Sequence, residues 1–522
     1  RTICEIESKG SQGADDSRAR GRGAPVGLTT TEIRDRAERF RAAVFEELHD
    51  ARSGRKAWPE LAPLYEAQGI LESSRTLPVI ERAIASADDD EERQLRKLLR
   101  WAARYHLEAH NARLDDEFSA WRATAKVETG DIAIPVSQAS NLIHATDSRE
   151  ARRRLEDARR DTLEEAVPLQ LDRLSRWREA AAELGYGGYR EAMERLAGVN
   201  LLGVESEARR LVDETEDLYR EVVVEELRRR VGIRPEEAES HDAGWLKRMP
   251  WLDGSCQEGN VLGTLRKDLR DIGLPLEYGG HVTVEHEPFP GPGMIPCCTP
   301  VRVPDQIHML VTPTITQPAC VALLTSVGRA LHYAYTDPRL SFEDRALGDL
   351  AVVKGHGLLF AGLSRERAWV RRTRGLNGQA LEEYRRTAAV ADLFSLREAS
   401  ARLEFEIELS DSDRPGEMGA IWAERLTTTT GFRFDPRSFL DRLGQRFGVA
   451  RYLRGRMLAA QLRRELWERF DEDWYRNPRT GPFLGDWFAN GLRFSAAEAA
   501  ASLGNDRLGA DALIAAVREP FE

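Results

Sequence analysis

Apolar residues recur at intervals of three and four along most of the chain, the period of helices that bury one face. The first run opens at Thr30-Thr31-Glu32 and continues to about Arg52. Further helices are predicted near residues 57–72, 77–88, 89–127, 147–184, 188–197 and 203–231; in the last, Ala208, Leu211, Leu218 and Val222 share a face. Charged residues fill the opposite faces at spacings suited to i,i+4 pairs. The triplets Arg152-Arg153-Arg154 and Arg228-Arg229-Arg230 read as parts of such solvated faces. Between about Trp251 and Pro313 the period changes. Residues 282–286 and 306–311 alternate as strands do, and the Pro/Gly run from Pro288 to Gly293 between them is incompatible with helix. Helical periodicity resumes near Pro318, with breaks at Pro338, Gly375 to Gly378, Pro415, Pro436 and Pro478 to Pro482. The expected class is mainly α, with one small sheet at about 281–312.

Composition narrows the setting. With 41% hydrophobic and 31% charged residues among 522, the chain can bury a large core under a polar surface. It has no apolar run of about 18 residues and no apolar signal core at its start, so neither a membrane span nor secretion is expected. Residues 1–29 are expected to form a disordered leader, 30–245 a helical region, and 246–522 a second region holding the sheet. Five cysteines (Cys4, Cys256, Cys297, Cys298 and Cys320) in 522 residues do not make a disulfide framework, and the lack of any C-x-x-C spacing argues against a structural zinc site. Cys297 and Cys298 read as small buried apolar residues, and a reducing, cytoplasmic setting fits best. A net charge of −11 with interspersed arginines argues against nucleic acid as partner. Abundant Arg, Ala and Leu suggests a bacterium of high genomic GC content.

Two segments carry more specific information: Ala319 to Thr336, containing Thr325-Ser326-Val327-Gly328-Arg329-Ala330-Leu331-His332, and Phe342 to His356, containing Gly348-Asp349 and Lys354-Gly355-His356. Together they resemble the core of the thimet oligopeptidase and oligoendopeptidase F family of zinc peptidases. Pro300 to Asp305, Tyr452 to Arg454 and Ala459 to Leu462 resemble its flanks. The resemblance spans roughly residues 30–520. It implies a large helical oligopeptidase-like fold, two helical halves around a deep groove, with the sheet beside the metal helix at about 317–361. It also implies that Asp305 to Thr312 is the sheet edge that would hold an extended peptide.

In that family one helix carries His-Glu-x-Gly-His-Ala-x-His and a following helix supplies a third ligand, a Glu. Two imidazoles at i and i+4 share a helix face and bind one zinc ion, and the Glu after the first acts as general base. Here the matching positions are Thr325, Ser326 and Arg329, with Lys354 in place of the distal Glu. Gly328, Ala330, Leu331 and His332 keep the family spacing. The resemblance therefore implies a pseudopeptidase, with no metal or other cofactor expected. In the late stretch Arg446 to Tyr452, where the family places oxyanion-stabilising tyrosines, Gly448 stands at such a position and Tyr452 remains.

The expected function is binding or scaffolding without proteolysis, with a peptide or protein partner. An anionic ligand would meet Arg329 and Lys354, with His332, His356 and Tyr452 as further candidates. His332 is also expected to pack, and Asp349 to pair with Arg329. Alternatives are a structural subunit of a larger assembly with a vestigial groove, and an enzyme with a rebuilt site. That site would be a metal on His332, His356 and Asp349, or a Ser326 or Cys298 nucleophile served by His356; no G-x-S-x-G elbow supports the latter. Trp369, flanked by Arg367, Arg371 and Arg372, reads either as an interface residue or as a buried aromatic.

Overall fold

The computed structural model describes residues 28–67, 73–253, 258–286, 295–312, 316–441 and 445–522. The leader expected over 1–29 lies outside the described residues except for its last two, as do Cys4, Cys256 and the Pro288 to Gly293 connector.

Helix α1 (Thr30–Arg52) starts where its sequence says it should. The Thr29 hydroxyl accepts the Glu32 N–H, and the Glu32 carboxylate accepts the Thr29 N–H, a reciprocal cap. The 36-residue helix α2 (Asp89–Thr124) is capped by Asp88 and carries Asp89, Asp90, Glu91 and Glu92 in its first turn, where negative charge offsets the helix dipole. The continuous run expected over 147–184 is instead two helices, Arg149–Glu164 and Val167–Glu183. Pro168 sits in the first turn of the second, a place proline tolerates and a helix interior does not.

A hairpin not anticipated from the sequence follows α2. Strands β1 (Lys126–Thr129) and β2 (Ile132–Pro135) pair antiparallel, with Gly130 at φ 56° in the turn. The anticipated sheet has three strands, β3 (Val282–Glu285), β4 (Cys297–Arg302) and β5 (Gln306–Leu310), in the order β3-β5-β4. β5 runs parallel to β3 and antiparallel to β4. The peptide-holding edge expected at Asp305 to Thr312 is thus corrected: β5 is the central strand, its backbone paired on both sides. β4 is an outer strand, and Arg41 of α1 donates to its Pro300 and Val301 carbonyls at 3.3 and 3.4 Å.

Arg152 departs from the solvated face expected of it. It is 1% exposed, donates to Asp242 at 2.9 Å and to two backbone carbonyls, and lies over the Trp245 ring. Trp369 is likewise buried, edge-on to Tyr475, so it is a core residue.

The three largest apolar clusters among the described residues hold the body together. One joins helices from both parts of the chain, among them Leu107, Trp177, Leu393, Phe405 and Leu453. A second unites the sheet with helices α3 (Gln317–Tyr335), α4 (Leu350–Gly362) and α5 (Gly448–Phe470). The third fastens α1 to α2 through Ile33, Phe40, Leu95 and Tyr105. Among the described residues no helix is long and apolar enough to cross a membrane.

The crossing of α3 and α4 requires glycine. A Cβ at Gly328 would lie 2.5 Å from the His356 carbonyl oxygen and 2.8 Å from the Phe360 ring. Gly328→Ala is therefore expected to destabilise by about 1–3 kcal/mol through overpacking, outweighing alanine's better helix propensity. Gly263→Ala, within the helix Glu258–Asp271 and with no atom within 4 Å of the added Cβ, should instead hold or raise stability. Urea unfolding of the two variants measures the difference.

Candidate functional site

Helices α3, α4 and α5 bring the residues singled out by the sequence to neighbouring positions. Thr325 and Arg329 stand one turn apart on α3. The Thr325 hydroxyl donates to the Val321 carbonyl at 2.7 Å and that of Ser326 to Ala322 at 2.8 Å, so both are spent on their own helix. Arg329 is hydrogen-bonded to Tyr333 and lies beside Cys297 and Cys298 of β4. Cys298 is fully buried and Cys297 partly so. Burial pushes the Cys298 thiol up to about 11, the opposite of an activated nucleophile.

On α4, the Lys354 ammonium lies 5.8 Å from the Tyr452 ring centroid. Burial, then repulsion from Arg329, Arg451 and Arg456, brings it down to about 8. Tyr452 also accepts a hydrogen bond from Arg456 at 3.1 Å, and Arg456 is held by both oxygens of Asp392 at 2.6 and 2.7 Å.

Asp349 does not pair with Arg329. It caps α4 by accepting the Ala351 N–H, accepts the Ala496 N–H, and takes Arg454 of α5 at 3.0 and 2.5 Å. Its position at the start of α4 turns it towards α5, away from the mid-helix position of Arg329.

His332 and His356 take another part than ligand contact. They are 0% and 1% exposed, and their Nδ1 atoms lie 3.0 Å apart. His356 Nε2 accepts the Trp487 indole N–H at 2.8 Å, so a neutral His356 carries its proton on Nδ1 and donates it to His332. His332 then carries its own proton on Nε2, which has no hydrogen-bond partner among the described residues. Burial lowers the pKa of both, that of His332 to about 3, so the pair is neutral and offers no charge to an anion. With Asp349 committed to Arg454, the metal set of His332, His356 and Asp349 does not assemble. Neither Ser326 nor Cys298 is joined to His356 among the described residues.

The zinc that the resemblance associates with this place does not fit these side chains. Two hydroxyls turned into their helix, a guanidinium and an ammonium offer no adequate donor set at pH 7.

Sequence reading missed the most strongly charged part of the site. A cavity of about 260 Å³ lies among α2, the start of α4 and α5. Arg96, Arg100 and Arg104 of α2 line it together with Arg446, Arg451 and Arg454, while Asp349 and Glu498 are its acidic residues. Arg96 is paired with Glu92, Arg446 with Glu108 and Arg454 with Asp349. Arg100, Arg104 and Arg451 make no ion pair among the described residues. Burial, then Arg446 and Arg104, depresses the Arg451 pKa to about 10. Its influence on Lys354 links the cavity to the α3–α4 residues. The spacing of Arg96, Arg100 and Arg104 along one helix face was the available signal.

No family model matches the chain, and comparison with curated proteins finds no match. Solved structures do match over nearly its whole length. A carboxypeptidase from Pyrococcus furiosus is 14% identical, covering 94% of this chain and 98% of its own, with a TM-score of 0.62. A Bacillus anthracis protein assigned to oligoendopeptidase F is 13% identical, covering 88% and 83%, at 0.63. An M32 carboxypeptidase from Deinococcus radiodurans is 15% identical, covering 94% and 97%, at 0.57. What is shared at such identity is the fold: this chain is built on the large, mainly helical fold of these metallopeptidases.

Proposed function

We propose that this chain is a non-hydrolysing binding protein on a metallopeptidase fold, and that it holds an acidic peptide segment. On this reading Thr325, Ser326, Arg329 and Lys354 replace the zinc ligands and general base, and cationic recognition has replaced catalysis. One observation carries the proposal: Arg104, Arg329, Lys354 and Arg451 are enclosed, burial lowers the pKa of Arg104, Lys354 and Arg451, and none of the four is ion-paired among the described residues. Gathering such charges costs desolvation and mutual repulsion, which a ligand bearing several carboxylates offsets. Guanidinium groups suit that ligand because they bind carboxylates through two parallel hydrogen bonds.

Fluorescence anisotropy with labelled hexaglutamate tests the proposal, hexalysine serving as control. The acidic peptide is expected to bind and the basic one not; equal binding of both, or none of either, overturns it.

Lys354 adds a pH signature. Its ammonium is charged below about 8 and favours the anion. Affinity is therefore complete at pH 7 and falls as pH rises through 8, by up to about tenfold at pH 9. Lys354→Arg, which stays charged, should flatten that fall.

A further inference from the structure

We infer that His49, Glu285 and His308 form a binding site for a zinc-class divalent metal ion, clasping the end of α1 to strands β3 and β5. This site is separate from the α3–α4 residues and does not depend on the peptide-binding proposal. His49 stands in the last turn of α1, Glu285 ends β3 and His308 lies within β5. β3 and β5 are adjacent and parallel, with Thr283 opposite His308, so Glu285, two residues on, shares the His308 face. One donor atom from each of the three residues lies within 4.8 Å of the others. His308 Nδ1 is 2.5 Å from Glu285 Oε1, and His49 Nε2 is 3.3 Å from that same oxygen.

The second, independent observation is His49 itself. It is 3% exposed, its ring stacks on His308 at 4.2 Å, and among the described residues neither ring nitrogen makes a hydrogen bond, the 3.3 Å approach of Nε2 to Glu285 Oε1 lacking the geometry of one. A buried imidazole whose nitrogens make no good hydrogen bond is destabilising. A metal ion at Nε2 removes part of that cost.

The surroundings orient the other two donors. Arg55 holds Glu285 through Oε2 at 3.3 Å, leaving Oε1 for the metal. The Gln306 amide lies 3.1 Å from His308 Nε2. The amide nitrogen is the atom that faces His308, its oxygen accepting from Arg302; with a metal on Nδ1, His308 carries its proton on Nε2, and the amide must release Arg302 and turn over to accept it. Two imidazoles and one carboxylate are a donor set suited to zinc, with water as fourth ligand. The other group of this kind, His106, His110 and Glu183, is more exposed, with the Glu183 side chain 54% accessible.

The test uses the full-length protein, stripped with a chelator and titrated with Zn²⁺ against a chromophoric competitor, then with Co²⁺ for its ligand-field spectrum. One ion per chain is expected, with a cobalt spectrum of low coordination number and a rise in melting temperature on zinc addition. His308→Ala, at a partly exposed position, and the isosteric Glu285→Gln should each weaken zinc binding by more than about tenfold. Absence of stoichiometric zinc binding by the stripped protein, or binding unchanged in both variants, overturns the site.

Discussion

Replacing Arg104 and Arg451 together with alanine should weaken hexaglutamate binding about a hundredfold. Each guanidinium facing a carboxylate contributes about 1.5–3 kcal/mol as a charge-assisted hydrogen bond, so losing two removes about 3 kcal/mol or more. The sign of the accompanying stability change separates a binding role from a structural one. Arg451 lies among Arg446 and Arg104, which with burial depress its pKa to about 10, and neither Arg104 nor Arg451 is in an ion pair among the described residues. Removing them relieves repulsion, so the melting temperature of the free protein should hold or rise while affinity falls. Arginines that buttress the fold would give the reverse. Titrations at two salt concentrations supply a further check, because the double variant should show the shallower salt dependence.

Asp349→Ala should cost about 3–5 kcal/mol of folding stability, the range for removing one partner of a buried ion pair. Asp349 and Arg454 are 11% and 9% exposed at their side chains. The carboxylate takes both guanidinium nitrogens, the N–H that opens α4, and the N–H of Ala496. Its loss strands the Arg454 charge, uncaps α4 and unfastens the helix Ala496–Ser502 in one step. Against the roughly 5–15 kcal/mol that folded domains possess, this is a large fraction. Asp349→Asn keeps an oxygen for only one of the two backbone N–H groups, since Ala351 binds Oδ1 and Ala496 binds Oδ2, and should fall between the wild type and Asp349→Ala. Urea denaturation measures the series.

What the sequence made legible follows the range of the interactions involved. α1 and α2 begin at capping residues because the cap is a contact between neighbours three residues apart. The glycine and histidine spacing of α3 and α4 is likewise local, which is why the fold was recognisable at an identity too low for family comparison. β4 was not legible. Its Cys-Cys-Thr-Pro-Val-Arg sequence is buried along most of its length, so it lacks the alternation that marks a half-buried strand. Without β4, β5 looked like an edge. The fate of Arg152 and Asp349 was settled by residues far along the chain: Asp242, 90 positions on, and Arg454, 105 positions on. Arg152 in isolation has the look of a solvated charge and Asp349 that of a partner for the nearest cation. The arginine cavity escaped notice for the same reason, since α2 and α5 are more than 300 residues apart.

Binding and the absence of hydrolysis are tested together in one experiment. Labelled hexaglutamate is incubated with the full-length protein to equilibrium, the bound fraction is read by anisotropy, and the peptide is then recovered for mass spectrometry. Saturable, salt-sensitive binding at one peptide per chain is expected, with the peptide recovered intact after prolonged incubation. Cleavage of more than one peptide per protein molecule contradicts this expectation.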